Sequence, residues 1–240
     1  MSTTTIAGIL PCFWKNVGWP TMALAIFDLD NTLIAGDSDY AWGEFLVKQG
    51  KVDAQHYAQK NRQFYEEYQA GTLDIFDYLR FALKPLAEIA PDELQVLQKQ
   101  FVVEVLKTMW LPAAEALIAR HRAEGDQLMV ISATNRFVVE PICQHLGINC
   151  VIATEPEQVA GRYTGNVAGV PSYQEGKVIR LQAWLKNNNA NLQGSTFYSD
   201  SINDLPLLAL VDTAVAVNPD EKLLAEAERR GWQVLNLREG

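Results

Sequence analysis

The chain has 240 residues, is 48% apolar and carries a net charge of −9. That is enough apolar material for one large domain or a core with an inserted one. A surface of that sign repels the phosphate backbone of DNA and RNA, so a nucleic-acid partner is excluded. No run is long enough to span a bilayer. The three cysteines, Cys12, Cys143 and Cys150, are odd in number and lack metal-ligand spacing, which points to a reducing cytoplasm. His56, His121 and His145 are scattered and read as surface or helix-face residues, and a monomer or homodimer is expected.

Residues 1–21 show no clean period. The apolar Ile6 to Leu10 is interrupted by Pro11 and preceded by no Lys or Arg, which makes a poor signal peptide. Met22 is therefore expected to be the native start, with residues 1–21 an upstream mis-start or a mobile arm. Met22 to Phe27 holds no charge and predicts a buried strand. After Asp37 the pattern turns helical. Tyr40, Trp42, Phe45 and Leu46 recur at helical spacing, as do Phe64, Tyr65 and Tyr68, then Leu73, Phe76, Tyr78, Leu79 and Leu83. Ala90-Pro91-Asp92-Glu93 predicts another helix start. This aromatic stripe reads as a bundle core, with Pro85 and Pro112 as punctuation.

From Pro112 helices and strands alternate. Helices are predicted over 113–124, 136–146, 175–187 and 203–210, with a last one from Pro219. Strands are predicted over 127–132, 149–154, 196–199, 213–217 and 232–237, and a hairpin over 158–170. This alternation predicts an α/β fold: a Rossmann-like, doubly wound parallel sheet with helices on both faces. The helical stretch is then an insertion. Three parts are expected: residues 1–21 outside the core, a core of 22–37 plus 111–240, and a helical domain of 38–110.

Asp28 and Asp30 stand just past the first strand, where α/β folds keep their chemistry. Two acids so close repel each other, and a hard cation such as Mg2+, which prefers oxygen ligands, offsets that. An Asp beside Mg2+ can attack phosphorus; a simple Asp/Asn turn is the alternative. Three further sites follow predicted strands or open helices. Ser132 ends the second core strand and can bind phosphate oxygen or cap a helix. Lys177 opens a helix, where a cation opposes the macrodipole, or is a surface lysine. Asp200 and Asp204 span a turn into a helix, where capping is the alternative.

In this order on one alternating chain, the pattern resembles the haloacid dehalogenase superfamily of phosphohydrolases. It looks like the phosphoserine phosphatase-like branch, which inserts a helical cap just after the first motif. The motifs carrying the resemblance are Asp28-Leu29-Asp30-Asn31-Thr32, Ser132, Lys177, and Asp200 with Asp204. The resemblance implies a phosphomonoester hydrolase. Asp28 is its nucleophile, forming an aspartyl-phosphate, and Asp30 its general acid and base. It further implies that Asp28, the Asp30 carbonyl and Asp200 hold Mg2+, and that Asn203 and Asp204 orient a metal water or Lys177. Thr32, Ser132 and Lys177 are implied to hold phosphoryl oxygens.

The same resemblance puts an acid at the first hinge for a substrate amine, a role that falls to Asp37 with Asp39 beside it. Phosphoserine phosphatases also use a cap arginine for the substrate carboxylate; Arg62 and Arg80 are the candidates here. The stretches around Asn135-Arg136-Phe137 and Ser199 to Asp204 resemble a bacterial subgroup assigned as histidinol-phosphate phosphatase or as phosphoserine phosphatase-like. Histidinol phosphate is favoured, phosphoserine second, and either places the enzyme in amino-acid biosynthesis. A phosphotransferase or phosphomutase, and a phosphorylatable switch, are the rival classes.

Overall fold

The structure, a computed structural model, describes residues 22–239, so the expectation for residues 1–21 lies outside the described residues. Strand β1 (Leu24–Phe27) is followed by four helices: α1 (Ser38–Lys48), α2 (Ala54–Ala70), α3 (Ile75–Glu88) and α4 (Pro91–Thr108). Then come α5 (Pro112–Glu124), β2 (Gln127–Asn135), α6 (Arg136–His145), β3 (Cys150–Thr154), β4 (Pro156–Val159) and β5 (Arg162–Val167). The chain ends with α7 (Glu175–Asn188), β6 (Thr196–Ser199), α8 (Leu205–Leu208), β7 (Thr213–Val217), α9 (Glu221–Arg230) and β8 (Gln233–Leu235).

The main sheet has the order β3-β2-β1-β6-β7-β8, and every pairing in it is parallel. This is the doubly wound α/β arrangement that the alternation predicts. β1 lies between β2 and β6, with Phe27 beside both Val130 and Tyr198. The chain winds to one side of β1 and then to the other, so the switch of direction falls at the carboxyl end of β1. Side chains alternate between two cores. Ala25, Phe27, Val130, Tyr198 and Val217 join the core shared with α5, α6 and the helical block α1–α4. Ile26, Met129, Ile131, Phe197 and Ala216 face α7, α8 and α9.

The helical block meets the sheet domain through an apolar seam. Trp42 of α1 is fully buried, stacks on Phe45 and meets Phe101 of α4 and Phe137 of α6 edge-on. The β4–β5 hairpin packs against α3, where Gly165 lies over Ala87 and the Leu83 carbonyl.

Several boundaries differ from expectation. Pro85 lies inside α3, whose last turn is held by burial of Leu83, Pro85 and Leu86. Pro112 opens α5 at its first turn, where a missing N–H costs nothing. β2 runs on through Ser132 to Asn135, with its register against β3 shifting after Ile131. The helix expected over 203–210 is a 3-10 turn, Ile202–Asp204, followed by the short α8. The helix expected at Pro219 starts at Glu221, because the Asp220 carboxylate caps the Leu223 N–H. No helix among the described residues is long and apolar enough to cross a membrane.

Candidate active site

The Asp28 N–H donates to the Tyr198 carbonyl at 2.9 Å, so the β1–β6 ladder extends one residue past the strand and fixes Asp28. Its Oδ1 accepts from Lys177 Nζ at 2.7 Å. The same ammonium donates to Asp204 Oδ2 at 2.7 Å, which also accepts the Ser199 hydroxyl at 2.7 Å. Lys177 is buried at the start of α7. It is brought there by Gly176, where an added Cβ would lie 2.0 Å from the Pro171 carbonyl oxygen. A side chain at position 176 would push the helix start away from the acids.

Asp30 turns the other way. Its Oδ1 accepts the Ser38 N–H at 2.6 Å, and its Oδ2 accepts the Thr134 hydroxyl at 3.0 Å and the Ser132 hydroxyl at 3.4 Å. The turn just after the two acids puts Asn31 at φ 55, a conformation Asn tolerates well, and Asn218 pins its carbonyl. Thr32 is fully buried and donates to Asp200 Oδ1 at 3.4 Å. That geometry lets Thr32 support Asp200. Ser132 is likewise fully buried, bonded to Asp30 and accepting the Thr134 N–H at 3.1 Å. Thr134, two residues on, lines the cleft instead. Asn203 supports the loop before α7, accepting from Gln174 at 3.1 Å and Tyr173 at 3.4 Å; neither partner is Asp200 or Lys177.

The electrostatics follow from burial. Burial, with Asp204 and Asp30 nearby and Lys177 opposing, pushes Asp28 up to about 7. Burial and then Asp37 raise Asp30 to about 6, against hydrogen bonds from Ser38 and Thr134. Burial, Asp28 and Asp204 hold Asp200 well above the usual carboxylate range. Burial works against the Lys177 charge, but Asp204 and Asp28 outweigh it and hold the ammonium protonated. Three carboxylates thus face one ammonium. This excess of hard oxygen donors fits a small divalent cation held by Asp28, Asp200 and a backbone carbonyl.

The cleft, about 770 Å3 including its open mouth, continues from these acids under α1, α2 and α3. Asp37 caps α1, its Oδ1 accepting the Asp39 and Tyr40 N–H groups at 2.9 Å. Asp39 accepts from the Tyr78 hydroxyl at 2.5 Å and from Asn135 Nδ2 at 3.1 Å. Burial raises both carboxyls to about 6. Aromatic residues cover the rest of the wall, among them Tyr40, Phe64, Tyr65, Tyr68 and Tyr78. Among the described residues that line the cleft, Lys177 is the sole cation. The two candidate arginines are elsewhere. Arg62 borders a groove on α2 with Gln59 and Glu66, and Arg80 pairs with Asp77 on an exposed face of α3. Helical spacing alone does not say which face looks into a cleft made by two segments.

Sequence reasoning missed Thr134, Asn135, Tyr68, Tyr78 and Tyr173 as site residues. Thr134 had a signal, since it shares its strand with Ser132 at alternate spacing. Of the two alternatives given for the histidines, surface or helix face, His121 takes the second, on the buried face of α5. It is 5% exposed, its Nδ1 is 2.6 Å from Asp126 and its Nε2 2.7 Å from the Tyr198 hydroxyl. His121, Glu124 and Asp126 bring three potential ligand atoms together away from the cleft, but both ring nitrogens are already taken.

A family model described as haloacid dehalogenase-like hydrolase matches residues 25–209. The chain is 48% identical over 219 residues to a histidinol-phosphatase of Neisseria meningitidis, covering 90% of this chain and 99% of that one. It is 31% identical over 221 residues to a phosphoserine phosphatase of Mycobacterium tuberculosis, covering 90% and 71%. A crystal structure of a Bordetella pertussis protein superposes with a TM-score of 0.86 at 40% identity, covering 91% of this chain and all of that one.

Proposed function

Because the chain belongs to the haloacid dehalogenase-like hydrolases, we propose that it is a Mg2+-assisted phosphatase acting on a small amine-bearing phosphomonoester, histidinol phosphate ahead of phosphoserine. Asp28, at the switch point of the sheet, is the nucleophile. Its carboxylate bonds to phosphorus as the ester P–O bond breaks, and Asp30 gives its proton to the departing alkoxide. The high Asp30 carboxyl, at about 6, supports the acid role, because a useful fraction stays protonated near neutral pH. Asp30 then takes a proton from water, whose oxygen attacks phosphorus and releases phosphate and the free Asp28. Lys177 keeps Asp28 aimed and offsets charge on the phosphoryl oxygens. Mg2+, when bound through Asp28, Asp200 and the Asp30 carbonyl, supplies charge neutralisation at the phosphoryl group.

The helical block acts as a cap that selects the leaving group. The single observation that carries the substrate assignment is the charge of the wall. Asp37 and Asp39 line the cleft on the α1 side of Asp30, and no arginine lines it among the described residues. An amine is attracted there and a substrate carboxylate is not, which favours histidinol phosphate over phosphoserine. The aromatic wall suits an imidazole ring.

The test is a Mg2+-dependent screen over histidinol phosphate, phosphoserine, sugar phosphates and nucleotides. Histidinol phosphate is expected to show a kcat/KM at least about tenfold above phosphoserine. A preference for phosphoserine would overturn the substrate assignment. Asp28→Asn is expected to lose turnover by several orders of magnitude with its melting temperature kept, and near wild-type hydrolysis in it would end the mechanism.

A further inference from the structure

Of the aromatic residues on α2, Phe64 meets Tyr78 and Tyr65 meets Tyr40, both within the helical block. Tyr68, in the last turns of the same helix, instead meets the sheet domain. Its ring lies 6.1 Å from that of Tyr173, in the loop before α7. It shares the wall of the cleft with Asp28, Asp200 and Asp204. It lines the cleft at the end where phosphorus must sit. Close by, Lys222 Nζ of α9 donates to the Ala70 carbonyl at 3.4 Å, so the end of α2 is held to the sheet domain by polar contacts.

We infer that Tyr68 is the cap's contact with the transferring phosphoryl group, its phenol O–H donating to a nonbridging phosphoryl oxygen. This rests on the reading of the cleft as a phosphatase site. A phenol carries one O–H to donate, and that of Tyr68 belongs to a side chain lining the cleft. A phenol is protonated near neutral pH, so it stays a donor. A neutral donor adds a hydrogen bond to the phosphoryl group without competing with a cation for the acids. It also ties cap closure to the presence of phosphate, whatever the leaving group.

Tyr68→Phe keeps the ring and removes the donor. The experiment measures kcat/KM on histidinol phosphate and on p-nitrophenyl phosphate, inhibition by orthovanadate, and thermal melting. Both substrates are expected to lose roughly tenfold in kcat/KM, with orthovanadate inhibition weakened by a similar factor and an unchanged melting temperature. Loss on histidinol phosphate alone, with orthovanadate inhibition intact, would overturn the proposal by placing Tyr68 at the leaving group. No change in any of the three would overturn it by leaving Tyr68 a packing residue. p-Nitrophenyl phosphate and orthovanadate carry no amine, so these two arms report on Tyr68 independently of which phosphomonoester is the natural substrate.

Discussion

Two acid clusters share this cleft, and they are answered differently. Asp28, Asp200 and Asp204 at the strand ends surround Lys177, whose ammonium sits 2.7 Å from two of them. Asp37 and Asp39, at the start of α1, meet only neutral donors: backbone N–H groups, the Tyr78 hydroxyl and the Asn135 amide. The chain supplies its own counter-charge in the first cluster and none in the second. Uncompensated buried charge is costly. A proton relieves the second cluster at low pH, and under the proposed function a substrate ammonium would do so at neutral pH.

Making the first cluster resemble the second is the harshest way to test this contrast. Lys177→Met should cut turnover at least about a thousandfold and destabilise the metal-free fold by about 3–5 kcal/mol, because it strands buried carboxylates. Urea unfolding without metal checks the second figure, and unchanged stability would dissolve the contrast. Asp37→Asn probes the other cluster. Asn still caps a helix, so stability should hold. The kcat/KM for histidinol phosphate should fall roughly 10- to 100-fold, with p-nitrophenyl phosphate nearly unaffected. An equal loss on both substrates would remove Asp37 from amine recognition.

Titration sharpens the comparison further. Asp28 at about 7, and Asp30, Asp37 and Asp39 at about 6, all lie above the ordinary 3.8. The native state therefore holds more protons than the unfolded chain between pH 4 and 7. The stability this adds is complete below about pH 4 and is lost as pH rises through 6 to 7. Under the proposed function, Mg2+ would displace protons from the first cluster and not the second. Its effect on the melting temperature should be larger at pH 8 than at pH 5.5; an equal effect at both would show that the acids do not bind it. The smallest effects belong to the arginines outside the cleft. Arg62→Ala and Arg80→Ala should each shift stability by no more than about 0.5 kcal/mol and leave activity on either substrate unchanged.

Both clusters were visible in the sequence to different degrees. Apolar runs ending in acids give the sheet and the placement of Asp28 and Asp200, because strand burial and strand-end chemistry are local patterns. Lys177 was legible as a position, but its burial depends on Gly176 lying against Pro171, a contact that no periodicity reports. Thr32 and Ser132 carry the expected hydroxyls, and their contacts with Asp200 and Asp30 are set by packing beneath the strand ends, which no local pattern reports. The cap side was the least legible. Which aromatic or charged residue of α2 and α3 faces the cleft depends on how those helices lie over the sheet domain. That is why Tyr68 and Tyr78 were not singled out and Arg62 and Arg80 were. His121 is buried for a similar reason, since its partner Tyr198 lies far along the chain.

The position of β1 also has a consequence for the order of events during synthesis. Leu24–Phe27 leaves the ribosome before any other strand of the sheet, but its two neighbours begin at Gln127 and Thr196. The hydrogen bond that fixes Asp28 needs Tyr198. Asp28 is thus among the first described residues made and among the last to be set in place, while the four helices after it can collapse early on local contacts. Nascent chains stalled before Thr196 should leave the amides of β1 open to exchange, and chains extended beyond β6 should protect them.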